Sequence, residues 1–179
     1  EGELLLAHVL VRPEVAPTLP ESMELNRLAD EFMQLSQQAY GAYMVDLGLK
    51  ADGTIVAWGD NTRGQCNVPS PNAGFIAISA GWEHSLGLRS DGSVIAWGDD
   101  TYGQCVVPSP NTGIVAISAG GYHSLALHGE GWIMAWGKNN EGQAGTPSPN
   151  SGLVAIAGGW EHSLALRDDG TVVAWGQNT

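Results

Sequence analysis

The sequence predicts an all-β chain, part of a β-propeller of about three and a half blades, preceded by a short strand–loop–helix appendage. Three observations predict it. Tryptophans recur at Trp58, Trp97, Trp136 and Trp175, and histidines at His84, His123 and His162, each 39 residues after the last. Every copy holds short runs rich in Val, Ile, Leu and Trp, at strand length, separated by glycine- and proline-bearing turns. Those runs are apolar on both faces, so each small sheet must be covered on both sides. Sheets stacked face to face around an axis achieve this, and a period near 40 with a Trp-Gly signature is that of a propeller blade. A linear solenoid is the competing arrangement.

The elements follow in order. Residues 1–41 differ in character from the rest. LLLAHVLV (4–11) reads as a buried strand and RPEVAPTLPES (12–22) as a loop. Ser22 then caps a helix through MELNRLADEFMQLSQQAY, with Leu25, Leu28, Ala29, Phe32 and Leu35 on one apolar stripe. The repeats fill 42–179, as copies at about 42–79, 80–118, 119–157 and 158–179. In each, a first strand such as FIAISA (75–80) is followed by HSLGLR (84–89) and SVIAWG (93–98). Asp-Gly at Asp91-Gly92 and Asp169-Gly170 marks the hairpin between the last two, because glycine accepts positive φ. A long polar loop ending in Pro-Ser-Pro-Asn leads to the next copy. The small residues after each first strand suit a crowded place near the axis. In the first copy, Val45-Asp46 stands where later copies have His-Ser.

Charge limits the partners. With 7 basic and 19 acidic residues the net charge is −12, so direct nucleic-acid phosphate recognition is not expected. A basic protein partner fits, through electrostatic steering. No run of about twenty apolar residues is present, so no membrane span is expected. Cys66 and Cys105 occupy the same position in successive copies, where the expected separation exceeds a disulfide's Cα reach of about 7 Å. Two free thiols favour a reducing compartment, hence the cytoplasm.

No constellation of catalytic, cofactor-binding or metal-binding residues emerges. One histidine per blade does not make a zinc site, and the expected role of His84, His123 and His162 is to hydrogen-bond backbone between blades. Adjacent His-Ser on a strand point to opposite faces, which rules against a hydrolase triad. Calcium-loop spacing and a phosphate-cradling glycine loop are absent. Trp58, Trp97, Trp136 and Trp175 fill space between blades, and Trp132, which has no counterpart, is a local packing choice. Freedom concentrates where the copies disagree. Trp82-Glu83, Tyr122 and Trp160-Glu161 precede the histidines, and Arg63, Tyr102 and Glu141 are equivalent in the long loops. If these loops share one end of the ring, the aromatics form a row there, ringed by acidic groups. That suits a protein-binding surface; the other reading makes Trp82 and Trp160 lids over the blade core.

The pattern G-x-x-HSLAL-x-x-DG-x-V-x-AWG-x-N-x-x-GQ resembles the RCC1 (regulator of chromosome condensation) repeat in its compact bacterial form, over about 42–179. It is similar in repeat style to beta-lactamase inhibitor proteins with an RCC1-like propeller. The resemblance implies a ring of about seven blades, and relatives that regulate small GTPases and bind chromatin. Strand, loop and helix in 1–41 resemble part of a universal stress protein domain, without its nucleotide-binding glycine motif. The expected function is non-enzymatic protein–protein interaction by a piece of a larger propeller. A homodimer closing one ring through open blade ends is the other way to cover the blade faces. Guanine-nucleotide exchange, a stress-response domain bearing propeller repeats, and carbohydrate binding are the alternatives.

Overall fold

The computed structural model describes residues 45–178. The expected strand, loop and helix in 1–41 lie outside the described residues. Eleven strands follow one another: β1 (Val45–Leu49), β2 (Ile55–Gly59), β3 (Phe75–Ala80), β4 (His84–Arg89), β5 (Val94–Gly98), β6 (Ile114–Ala119), β7 (His123–His128), β8 (Ile133–Gly137), β9 (Leu153–Gly158), β10 (His162–Arg167) and β11 (Val172–Gly176). They form one two-stranded sheet, β1-β2, and three three-stranded sheets, β3-β4-β5, β6-β7-β8 and β9-β10-β11, all antiparallel. These are propeller blades. The first and second strands of a blade begin and end where the sequence places them. The third begins at Val94 rather than Ser93, because the Asp91 carboxylate accepts both the Ser93 amide (3.0 Å) and its hydroxyl (2.6 Å) and holds it in the turn. Gly92 completes that turn at φ 81°.

The core lies between blades. Leu86 and Leu88 of β4 are fully buried against Ile114 and Trp136 of the next blade. Leu125 and Leu127 of β7 meet Leu153 and Ala165 in the same way. Trp97 sits with Phe75 of its own blade and Ile55 of the one before. A side chain on either face of an inner blade thus finds a neighbour, which explains strands apolar on both faces. Each first strand carries one bulge: Phe75 opposes Arg89 and Ala77 opposes Leu88, so Ile76 is the extra residue. Ile76, Val115 and Val154 occupy this position and are exposed.

First strands also touch across blades. The Ser79 hydroxyl accepts the Ala119 amide and the Ser118 hydroxyl accepts the Gly158 amide, both at 2.9 Å. Just beyond them the expected crowding is present. A Cβ on Gly120 would strike the His123 ring and stand 2.6 Å from the Gly159 carbonyl oxygen of the following blade. The Pro-Ser-Pro-Asn loop works as a brace. Asn111 accepts the Val94 amide at 2.7 Å and donates to the Val94 carbonyl at 2.9 Å, as a neighbouring strand would. Asn72 treats Ile55, and Asn150 treats Ile133, in the same way. The edge amide and carbonyl of Ile55, Val94 and Ile133 are thereby occupied.

The histidines depart from expectation. They bridge blades, but to a serine side chain rather than to backbone. His84 Nε2 lies 3.0 Å from Ser124 Oγ, and His123 Nε2 lies 2.8 Å from Ser163 Oγ. Each serine spends its one proton on a loop carbonyl, Gln104 O or Gln143 O, at 3.0 and 2.8 Å. The serine oxygen must therefore accept, and the histidine must donate from Nε2. This leaves Nδ1 a bare acceptor, consistent with its having no partner in either ring. The same carbonyls accept the indole of Trp136 (2.8 Å) and Trp175 (3.0 Å). Burial pushes both imidazoles down to about 4. His162 is exposed instead, since among the described residues no later blade covers it.

Candidate functional site

The loops between first and second strands all open at one end of the stack, and there the aromatics converge. They form a packed cluster rather than the expected row. Trp82 and Trp160, two blades apart, have ring centroids 3.9 Å apart. Tyr122, from the blade between them, lies 5.5 Å from Trp82 and 6.3 Å from Trp160. Tyr102 reaches in from the long loop, edge-on to Tyr122 at 5.4 Å. Backbone bonds hold the corners together: the Trp82 amide donates to Gly121 O at 3.2 Å and the Gly121 amide to Gly159 O at 3.1 Å. The glycines of the Gly-Trp-Glu-His motif leave room for this close approach. Four amphipathic rings are thus fixed by packing yet partly open, with Tyr102 46% and Trp160 36% exposed.

Charged groups ring the cluster. Arg63 Nε stands 3.9 Å from Glu83. Lys138 is bonded to Glu161 and lies 5.8 Å from the centroids of both Tyr102 and Tyr122. The Glu161 hydrogen bond raises the Lys138 ammonium above its ordinary value. Of the sequence candidates, Trp82, Glu83, Tyr102, Tyr122, Trp160, Glu161 and Arg63 are all brought to this end. Trp132 is not: it stacks on His128 at 4.4 Å and bonds Glu130, a local arrangement. Lys138 was missed. Its signal was present, because it breaks the series Asp60, Asp99, Lys138 at the 39-residue spacing.

That series is structural in the first two copies. The Asp99 carboxylate accepts the Thr101 hydroxyl at 2.8 Å and the Gln104 amide at 2.7 Å. Asp60 does the same for Thr62 and Gln65 at 2.9 Å each. Burial alone would push the pKa of both carboxyls up, but the hydrogen bonds from the threonines and glutamines outweigh it and hold them below the usual carboxylate value. The cysteines stand in the same loops as free thiols, donating to Asp60 O and Asp99 O at 3.1 Å. Burial, then Asp100 and Asp99, push the Cys105 thiol up to about 12, far from a nucleophilic thiolate. Among the described residues no group of three or more His, Cys, Asp or Glu is arranged to hold a metal ion.

Known proteins share both repeat and fold. The family described as "Regulator of chromosome condensation (RCC1) repeat" matches residues 75–104, 114–143 and 153–179. No curated protein matches the sequence. Prp20p from Saccharomyces cerevisiae is similar in structure over 75% of this chain and 44% of its own, with TM-score 0.65 and 20% identity. Yeast RCC1 (Prp20) crystallised with Kap60 gives 0.63 and 21%, over 75% and 42%. The CRINKLY WD40 ectodomain of the Arabidopsis thaliana receptor kinase ACR4 gives 0.60 and 26%, over 74% and 52%. The chain spans about half the length of these relatives or less.

Proposed function

Because the repeats between residues 75 and 179 belong to the RCC1 repeat family, we propose that the chain is a non-enzymatic protein-interaction module that docks a basic protein surface through its aromatic end. The observation that carries this reading is the convergence of Trp82, Tyr102, Tyr122 and Trp160 from three blades and a loop, with Glu83 and Glu161 beside them. Large, rigid, partly exposed rings supply contact area with little entropy to lose, and Trp and Tyr are the residues that anchor protein interfaces. The net charge of −12 draws a cationic partner and repels an anionic one. Prp20p, of the same fold, has described binding properties to Gsp1p and histones, and histones are strongly basic.

Histones are therefore the probe. Titration of core histones into the chain by calorimetry, at physiological ionic strength, should show saturable binding. Trp160→Ala should weaken it about tenfold or more, whereas Trp132→Ala, away from the cluster, should leave it unchanged. Absence of saturable binding by the wild type, or equal binding by the Trp160 variant, contradicts the reading.

A further inference from the structure

The repeat is broken at one position that reaches the aromatic end. In the first two copies, Asp60 and Asp99 brace the long loop by accepting from the glutamine five residues on. The third copy has Lys138 there. Gln143, the counterpart glutamine, keeps one bond, accepting the Glu141 amide at 2.9 Å. Its Nε2 is buried with no partner. An orphaned buried amide is a standing destabilisation, and an aspartate at 138 would remove it. The lysine does something else: its ammonium bonds Glu161, beside Trp160, and lies 5.8 Å from the rings of Tyr102 and Tyr122. One cation thus touches the long loop before β6, the loop before β7 and the loop before β10.

We propose that Lys138 is the positioning residue of the contact surface: it gives up the repeat's loop-bracing carboxylate in order to tie Tyr102, Tyr122 and the Trp160-Glu161 corner into one rigid face. This rests on the protein-contact reading above. Local rules broken without a local gain are expected where a surface serves binding. The lysine here is buried enough to make the tie specific, since both its side chain and that of Glu161 are 18% exposed. Cation–aromatic attraction grows when the cation is partly desolvated. The ammonium stays charged, its proton held by Glu161.

The test uses three variants of the chain, read by near-ultraviolet circular dichroism and thermal unfolding. Lys138→Asp gives Gln143 its acceptor and removes the tie. Relative to Lys138→Met, which loses the same tie, it should raise Tm by about 2–4 °C, the shift expected from satisfying one buried donor, and like it lose the aromatic dichroism of the cluster. Lys138→Met should lose the dichroism without the gain in Tm, and Lys138→Arg should keep it. An unchanged spectrum in both the Asp and Met variants overturns the proposal. So does a fall in Tm and spectrum together that arginine does not rescue, which would make Lys138 a packing residue only. Both readouts are made on the free chain. Failure here leaves histone binding untouched, and absent histone binding leaves these results standing.

Discussion

His84 and Ser124, forty residues apart on neighbouring blades, share a buried hydrogen bond of 3.0 Å whose direction is set by Gln104, the serine proton being committed to that residue's carbonyl. The bond repeats at His123 and Ser163. It is a buried polar link between blades, and it fixes which residue of one blade faces which residue of the next.

Ser124→Ala should therefore cost about 1–3 kcal/mol, because it leaves the His84 Nε2–H buried without an acceptor. Ser85→Ala should cost less. Ser85 donates to Gln65 O at 2.9 Å, but Val45 stands where its histidine would be, and Gln65 O keeps the Trp97 indole at 2.8 Å. Urea unfolding of the two variants gives the comparison. Equal losses would remove the histidine–serine link from the account.

The same burial makes the fold acid-sensitive. His84 and His123 are held at about 4, below the ordinary 6.5, by burial. The unfolded chain takes up these protons first. Their neutral state is thus no penalty above pH 6.5, and stability falls as pH drops from 6.5 to 4, by up to about 3 kcal/mol for each histidine. High salt screens the repulsion among acidic residues that would mask this. Ring nitrogen resonances that remain neutral, protonated at Nε2, at pH 5.5 would confirm the cause. Imidazolium signals for both at that pH would contradict it.

Two glycines separate space from backbone conformation. Gly120→Ala drives a methyl into the His123 ring and to 2.6 Å from Gly159 O, so both intra-blade and inter-blade packing must give. A loss of about 3 kcal/mol or more is expected, as for other overpacked sites. Gly103→Ala meets nothing within 4 Å, and only its φ of 77° opposes the change. That costs about 1 kcal/mol. Thermal unfolding of the pair should show the first far below the second.

Most of the blade was legible in the sequence because the constraints repeat. Strand bounds, hairpin glycines and inter-blade tryptophans each recur at fixed spacing, and each has a local physical cause. Two features were not legible, and a third only in part. The histidine's partner lies forty residues on, in a neighbouring blade, so no local pattern distinguishes a serine hydroxyl from a backbone carbonyl. The aromatics could be placed at one end but not seen to close into a cluster, since Trp82 and Trp160 meet across an intervening blade. Lys138 was readable as a break in the Asp60–Asp99 series, but its reach to Glu161 depends on how two blades stack.

The most direct test of the contact surface is oxidative footprinting of the chain with and without core histones, read residue by residue. The account expects protection at Trp82, Tyr102, Tyr122 and Trp160 on binding, with Trp132 and the exposed Val172 of β11 unchanged. Protection confined to Val172 and the outer blade face, with the four aromatics as reactive as in the free chain, would contradict it.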